Sequence, residues 1–262
     1  MVPKGHFHGA EFRIHALAGA TATRIVHPGP QAIAEHRHDW PVLSFYRMGA
    51  YRELSEAGEV TLSGPSVVFH PAGSPHADAI GEPGLETLIL EFDPAWLPDV
   101  ACGGGSRYWR GGSVALEAPR LASLWLSRAP ERVLRERTAD FLRRALTAKP
   151  ASAPAWLARA EAALEAGEAA SASLAARLDL HPAWFARAYR AARGEGLHQT
   201  LRRRRVERAV ALVRDGDRSL AGVAVDAGFC DQSHMNRAFR AVLGRTPAEV
   251  RAERVVLAAR AA

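Results

Sequence analysis

The sequence is short of several things that would fix its surroundings. It has only two cysteines in 262 residues, Cys102 and Cys230. They lie far apart and outside any CxxC spacing, which argues against a disulfide framework or a zinc module and suits a reducing compartment. No stretch approaches the roughly 18 uncharged apolar residues of a membrane span. Behind Lys4 the opening MVPKGHFHGAEFRIH has no continuous apolar segment of the secretory kind, so a cytoplasmic protein without membrane attachment is expected. Lysine is almost missing, and none occurs after Lys149.

What charge there is sits unevenly. Residues 1–153 hold 16 Lys and Arg against 16 Asp and Glu, whereas residues 154–262 hold 18 Arg against 12 acids, so the whole net charge of +6 belongs to the C-terminal part. A basic part beside a neutral one points to a polyanion-binding domain attached to something else. The length allows two ordinary domains, and AKPASAP at 148–154, small residues with two prolines, marks the linker between them.

Texture changes along the chain as well. Up to about residue 93, runs such as PVLSFYRM, SVVFHP and LETLILEF read as strands between Gly, Pro, Ser and Asp. CGGGSRYWRGG reads as a loop. From Pro119 the spacing turns helical, with Val133, Leu134, Ala139, Leu142 and Leu146 able to share a face. After the linker, helices are expected near 155–166, 173–179, 183–193, 198–214, 220–227, 232–242 and 247–258. Ser219 is placed to cap one of them, Gly228 to stop it in the left-handed region, and Thr246-Pro247-Ala248-Glu249 to open the last as a capping box. The fold class is therefore α+β in two domains.

An internal repeat decides the C-terminal architecture. FARAYRAARG, Phe185–Gly194, aligns with MNRAFRAVLG, Met235–Gly244, at an offset of 50 residues, and each follows a similar helix: SLAARLDLHPAW, then SLAGVAVDAGFCDQ. The unit is helix, tight turn, second helix with an aromatic anchor and outward arginines, then Gly. That is a helix-turn-helix, whose second helix fits the major groove. Between the copies, LRRRRVERAVALVRDG offers Leu201, Ala209, Leu212 and Val213 as a buried stripe. A rigid helix there would let two units address successive grooves roughly 34 Å apart.

Ser219-Leu220, Ala224, Ala227-Gly228-Phe229, Asp231-Gln232-Ser233-His234, Arg237, Phe239-Arg240, Gly244, Thr246-Pro247 and Arg251, with Arg205-Val206, Ala209 and Leu212 upstream, resemble the DNA-binding domain of the AraC/XylS transcription regulators over roughly residues 154–255. The resemblance implies that Gln232, Ser233, Asn236 and Arg237 face base edges. Their chemistry suits this, since Arg bridges guanine O6/N7 and Gln or Asn pairs with adenine. Arg240 is expected on phosphate. In the first unit the matching positions are Ala183, Ala186 and Arg187, and His181 stands where a Ser-like cap is expected, so Arg187 alone can make a bidentate base contact there. Arg190, Arg202, Arg203 and Arg204 are expected on phosphates or in solvent, and Cys230 as a small buried residue.

His36-Arg37-His38-Asp39-Trp40 and Gly64 with Pro71, Gly73 and His76 resemble the two motifs of a cupin barrel, which implies a cupin-like N-terminal domain over 1–118. A helical connector over 119–147, able to mediate dimerisation, and a DNA-binding domain over 155–262 complete the plan. His36, His38 and His76 are candidate ligands of a divalent metal, and with Tyr46 they are candidate effector-pocket residues. The acid that enzyme-type cupins carry just after the HxH is absent: Pro41-Val42-Leu43 stands there. Tyr46, His70 and Glu91 are further candidate lining residues whose facing alternation leaves open. The expectation is a regulator, not an enzyme, with double-stranded DNA, a small-molecule effector and RNA polymerase as partners and a homodimer as the assembly. The rival reading is a metal-dependent cupin enzyme with an appended helical domain.

Overall fold

A computed structural model describes residues 6–56, 58–148, 154–167, 171–216 and 218–253. Most of the expected linker, 149–153, and the end of the last expected helix, beyond 253, lie outside the described residues.

The N-terminal domain is two antiparallel sheets. One has six strands in the order β1 (Ala10–Leu17), β2 (Ala20–His27), β9 (Leu85–Phe92), β4 (Val42–Met48), β7 (Ser66–His70) and β10 (Arg107–Trp109). The other has β3 (Gln31–His36), β8 (His76–Ile80), β5 (Ala50–Ser55) and β6 (Gly58–Ser63). The six-stranded sheet is covered on both faces. Its period of two sends Leu43, Phe45, Val67, Phe69, Leu88, Leu90 and Phe92 outward, against α1 (Gly112–Leu126) and α2 (Glu131–Thr147). The residues between them, Val42, Ser44, Tyr46, His70, Thr87 and Ile89, point into the barrel. A strand buried on both faces needs a nearly continuous apolar run, which is why β4, β7 and β9 are the strands easiest to read from sequence.

Two expectations need correction here. CGGGSRYWRGG is not all loop, because Arg107–Trp109 pairs with β7 as the edge strand. The connector does not begin at 119 either: α1 starts at Gly112 and carries Pro119 inside it, so a boundary at 118/119 would cut a helix.

The C-terminal domain is α3 (Ala155–Glu165), α4 (Ser171–Arg177), α5 (Pro182–Arg193), α6 (Leu197–Asp215), α7 (Leu220–Asp226) and α8 (Gln232–Leu243), followed by helical residues 247–253. Leu157, Leu164, Leu174, Phe185 and Tyr189 pack the first unit. Val223, Met235, Phe239, Leu243 and Val250 pack the second against Val206, Val210 and Val213 of α6. Met48, at the end of β4, is buried in this second core, so the barrel reaches into the reader.

Candidate functional site

The repeat seen in sequence is a repeat in space. Phe185 and Tyr189 of α5 are fully buried, as are Met235 and Phe239 of α8. Gly194 and Gly244 end their helices at φ +74° and +72°, where only glycine is unstrained. On the outer faces Arg187, Arg190, Gln232, Ser233, Arg237 and Arg240 are exposed, and Asn236 is half-buried. Among the described residues none of the four arginines forms an ion pair. The two units differ at their entrances. The Asp231 side chain accepts from the His234 N–H at 2.6 Å, whereas His181 makes no side-chain cap for α5. The α8 entrance is therefore the better fixed. The other local chemistry forms where the sequence places it: Ser219 caps at Gly222, Gly228 is left-handed, and Thr246 and Glu249 cap one another.

Three placements differ from expectation. Arg203 is buried, not turned to solvent or phosphate, and is paired with Glu195 and Glu207 at 2.8 Å each. Cys230 is exposed, just ahead of the Asp231 cap. Arg202 keeps the exposed position expected of it, while Arg204 is only half-exposed.

The barrel grips the reader at a compact patch where β4 and β6 end. Arg47 donates to the Val242 carbonyl at the end of α8 (2.7 Å), and the Gly49 N–H donates to Glu207 of α6 (3.0 Å). Arg193, at the end of α5, donates to the Ser63 carbonyl (3.2 Å). Gly64, at φ +74°, lies flat against the Arg203 guanidinium, so a side chain there would both strain the backbone and displace the ion pair. Both second helices are thus held by their C-terminal ends, leaving the arginine-bearing faces open. A cavity of about 400 Å³ lies beside this patch, walled by Phe45, Val67 and Leu88 of the barrel, Ala118 and Ala122 of α1, and Arg202, Arg203 and Val242 of the reader.

Inside the barrel, the end of β3, the segment just after it and β8 bring His36, His38 and His76 together, one nitrogen of each lying within 4.8 Å of the others. His70 stacks on His76 at 4.0 Å, with its Nδ1 3.0 Å from Ser106 Oγ and its Nε2 3.5 Å from Glu53. Glu53 is fully buried and accepts from the hydroxyls of Tyr51 and Tyr108. No sequence signal pointed to Glu53, Tyr51 or Tyr108, because the facing of β5 in one sheet and β10 in the other is what assembles them. Tyr46 and His70 face inward, and Tyr46 also borders the larger cavity. The free volume around the histidines is about 50 Å³, against about 400 Å³ for the cavity beside the seam between the domains.

Burial, followed by the neighbouring imidazoles, lowers His38 to a pKa of about 3 and His76 to about 4. Burial, then the Glu53 charge, raises Asp78 to about 7. In metal-free protein the signs oppose. The histidines return toward 6.5 on unfolding, so their contribution is complete above that pH and is lost as pH falls. Asp78 returns toward 3.8, so its contribution is complete below that pH and is lost as pH rises toward 7. With His27, His36 and His70 lowered as well, the histidines prevail. The melting temperature should therefore fall from pH 7 to pH 5, and fall more steeply in Asp78→Asn. A melting temperature that rises on acidification would contradict this.

With this geometry in hand, known proteins supply a comparison. Residues 174–253 match a family model described as a helix-turn-helix domain. An AraC-like transcription regulator of Streptomyces antibioticus is 27% identical over 217 residues, covering 78% of this chain. Residues 174–253 therefore form a helix-turn-helix domain, in a chain similar to an AraC-like regulator. The chain spans 62% of the length of the Streptomyces relative. Among solved structures, the AraC-like transcriptional activator CuxR superposes with a TM-score of 0.44 at 12% identity, covering 92% of this chain and 77% of that one. Unsaturated fatty acid-bound ToxT of Vibrio cholerae gives 0.40 at 12% identity, covering 90% and 96%. Among the described residues no helix is long and apolar enough to cross a membrane.

Proposed function

We propose that this protein is a sequence-specific DNA-binding transcriptional regulator, in which the barrel and α1 set how the two AraC-type units engage DNA. The observation that carries this reading is the disposition of α5 and α8. Equivalent arginines stand exposed on both, without an ion pair among the described residues, while the C-terminal ends of the same helices are tied to the barrel. Arg187 and Arg237 read bases, with Gln232, Ser233 and Asn236 beside Arg237, and Arg190 and Arg240 take phosphates.

The effector's seat is the cavity between the domains and not the histidine-lined interior. At about 400 Å³ it is within the usual range for small-molecule sites, and it borders Arg47, Arg203 and Val242, the residues of the grip. A molecule bound there acts on the reader through differential contact with the docked and released arrangements. Its walls are mostly apolar, so an apolar or amphipathic effector is favoured. The free volume beside the histidines, far smaller than that of the cavity between the domains, weighs against the enzyme reading. RNA polymerase, and a second copy joined through the connector helices, complete the partners proposed from the AraC/XylS resemblance.

The deciding experiment compares full-length protein binding to its own upstream intergenic DNA and to random duplex at one moderate salt concentration. A clear preference for the former is expected; equal binding would overturn the proposal. Ala122→Trp, which fills the cavity, should leave that preference in place but abolish any shift produced by an added effector.

A further inference from the structure

The acid absent after the HxH motif has a counterpart in space. Asp78 lies two residues beyond His76 on β8, so the strand's period of two puts both on the barrel's inner face. Across the sheet, His36 pairs with His76 and Ile33 with Asp78, with an irregularity in register between them. That irregularity brings Asp78 Oδ2 to 3.9 Å from His36 Nε2.

The hydrogen bonds around these side chains say what is missing. His36 Nδ1 and His76 Nδ1 each lie 3.1 Å from a backbone carbonyl, of Ala34 and Ser74 respectively. A carbonyl only accepts, so each ring donates its Nδ1–H and turns a bare Nε2 lone pair inward. This is the outer-sphere arrangement that orients metal-binding imidazoles. Among the described residues His38 Nδ1 and Asp78 Oδ1 are buried without a hydrogen-bond partner, while the Asp78 carboxyl also accepts from the Tyr51 hydroxyl. The Asp78 side chain is nine-tenths buried, and among the described residues no Arg or Lys lines the cavity to neutralise it. Several acceptors thus converge on a space of about 50 Å³ that, among the described residues, no Arg or Lys lines.

We propose that Asp78 is the fourth protein ligand of a divalent transition-metal site formed with His36, His38 and His76. The proposal rests on the three-histidine metal reading and is independent of the DNA reading. Three imidazoles and one carboxylate suit Zn²⁺, Fe²⁺, Co²⁺ or Ni²⁺ and not Ca²⁺ or Mg²⁺, which take oxygen ligands. Bonds of about 2.0–2.2 Å bring tetrahedral ligand atoms to roughly 3.3–3.6 Å from one another, so the three histidine nitrogens, within 4.8 Å of one another, draw together on binding and the Asp78 carboxylate, 3.9 Å from His36 Nε2, moves in with them. His70 is not a ligand in this arrangement. Its ring, held by Ser106 and Glu53, buttresses His76.

The test is titration of chelator-stripped full-length protein with Co²⁺, followed by visible absorption, and with Zn²⁺ in competition. Wild type should take one equivalent with the intense bands of four-coordinate cobalt. His76→Ala should lose the site. Asp78→Asn, which removes the charge at almost constant volume, should bind at least about tenfold more weakly, the lower end of what losing even an outer-sphere partner costs, with altered bands. If wild type and His76→Ala behave as expected but Asp78→Asn keeps wild-type affinity and spectrum, the three-histidine site stands and the role of Asp78 is overturned. If wild type binds no ion, both fall. A measurement on wild type alone guards against a variant that does not fold: with ¹³C-labelled aspartate, one buried carboxylate resonance should move when Zn²⁺ is added, and the absence of any such shift also overturns the assignment.

Discussion

Arg237→Ala should weaken binding to the protein's own operator by about 1–3 kcal/mol, roughly five- to 150-fold, while binding to random duplex changes much less. Arg237 is exposed, has no carboxylate partner among the described residues, and lies within the first two turns of a helix whose entrance is fixed by Asp231. A guanidinium held in that way has little to lose by turning to guanine O6/N7, and removing it leaves those acceptors unmatched. Fluorescence anisotropy on paired operator and random duplexes at one salt concentration measures both quantities. Equal loss on every sequence would place Arg237 on phosphate instead. Arg240→Ala is the internal control, because a phosphate contact should lower affinity uniformly and reduce the salt dependence by about one counterion. The same change at Arg187 should affect discrimination less. Its neighbours on the reading face are Ala183 and Ala186, and α5 lacks the entrance cap that α8 has.

That asymmetry was visible in the sequence because cap and anchor chemistry is local. Ser219, Gly228, Gly244 and the Thr246–Glu249 pair each act within a few residues of themselves, and the 3.6-residue period of α5, α6 and α8 needs no partner to be read. The barrel was legible only where both faces of a strand are buried, as in β4, β7 and β9. Edge elements were not: Arg107–Trp109 is a strand because β7 offers it a ladder, and no feature of RYW announces that. The spacing reads as helical only from Pro119, yet α1 begins at Gly112 and runs through that proline, packed on the sheet by Val114, Leu121 and Trp125. Arg203 was misread for a related reason. In a run of four arginines nothing marks the one whose partners are Glu195, Glu207 and the flat face of Gly64, the last from the other domain. The histidine cluster followed from motif spacing, whereas Asp78 depends on a register irregularity that no linear pattern encodes.

Glu86→Ala should have the largest effect on how the two domains hold together. Glu86, on β9, is almost fully buried and pairs with Arg24 of β2 and with Arg245, just beyond α8; Glu253 closes the ring, 2.9 Å from Arg24 and 2.5 Å from Arg245. The ring joins the barrel to the second helix-turn-helix unit, and Arg214 of α6 lies beside it, with both neighbouring carbonyls, of Pro28 and Pro83, at 3.5 Å. Removing Glu86 leaves two half-buried guanidiniums sharing one carboxylate, and breaking a buried pair in this way costs about 3–5 kcal/mol. The cost falls on the seam before it falls on either core, since Met48 and the Arg47–Val242 contact lie on the same face. Amide exchange should therefore accelerate over residues 245–253 and at the Gly49 and Val242 contacts, with the melting transition lowered or split. Exchanging all four members of the ring, Glu86, Arg24, Arg245 and Glu253, together for leucine or methionine should restore most of the stability, because an apolar substitute removes the desolvation cost along with the attraction. If exchange and melting in Glu86→Ala match wild type, the seam is held by apolar contact alone, and Met48 becomes the residue through which the barrel positions the second reader.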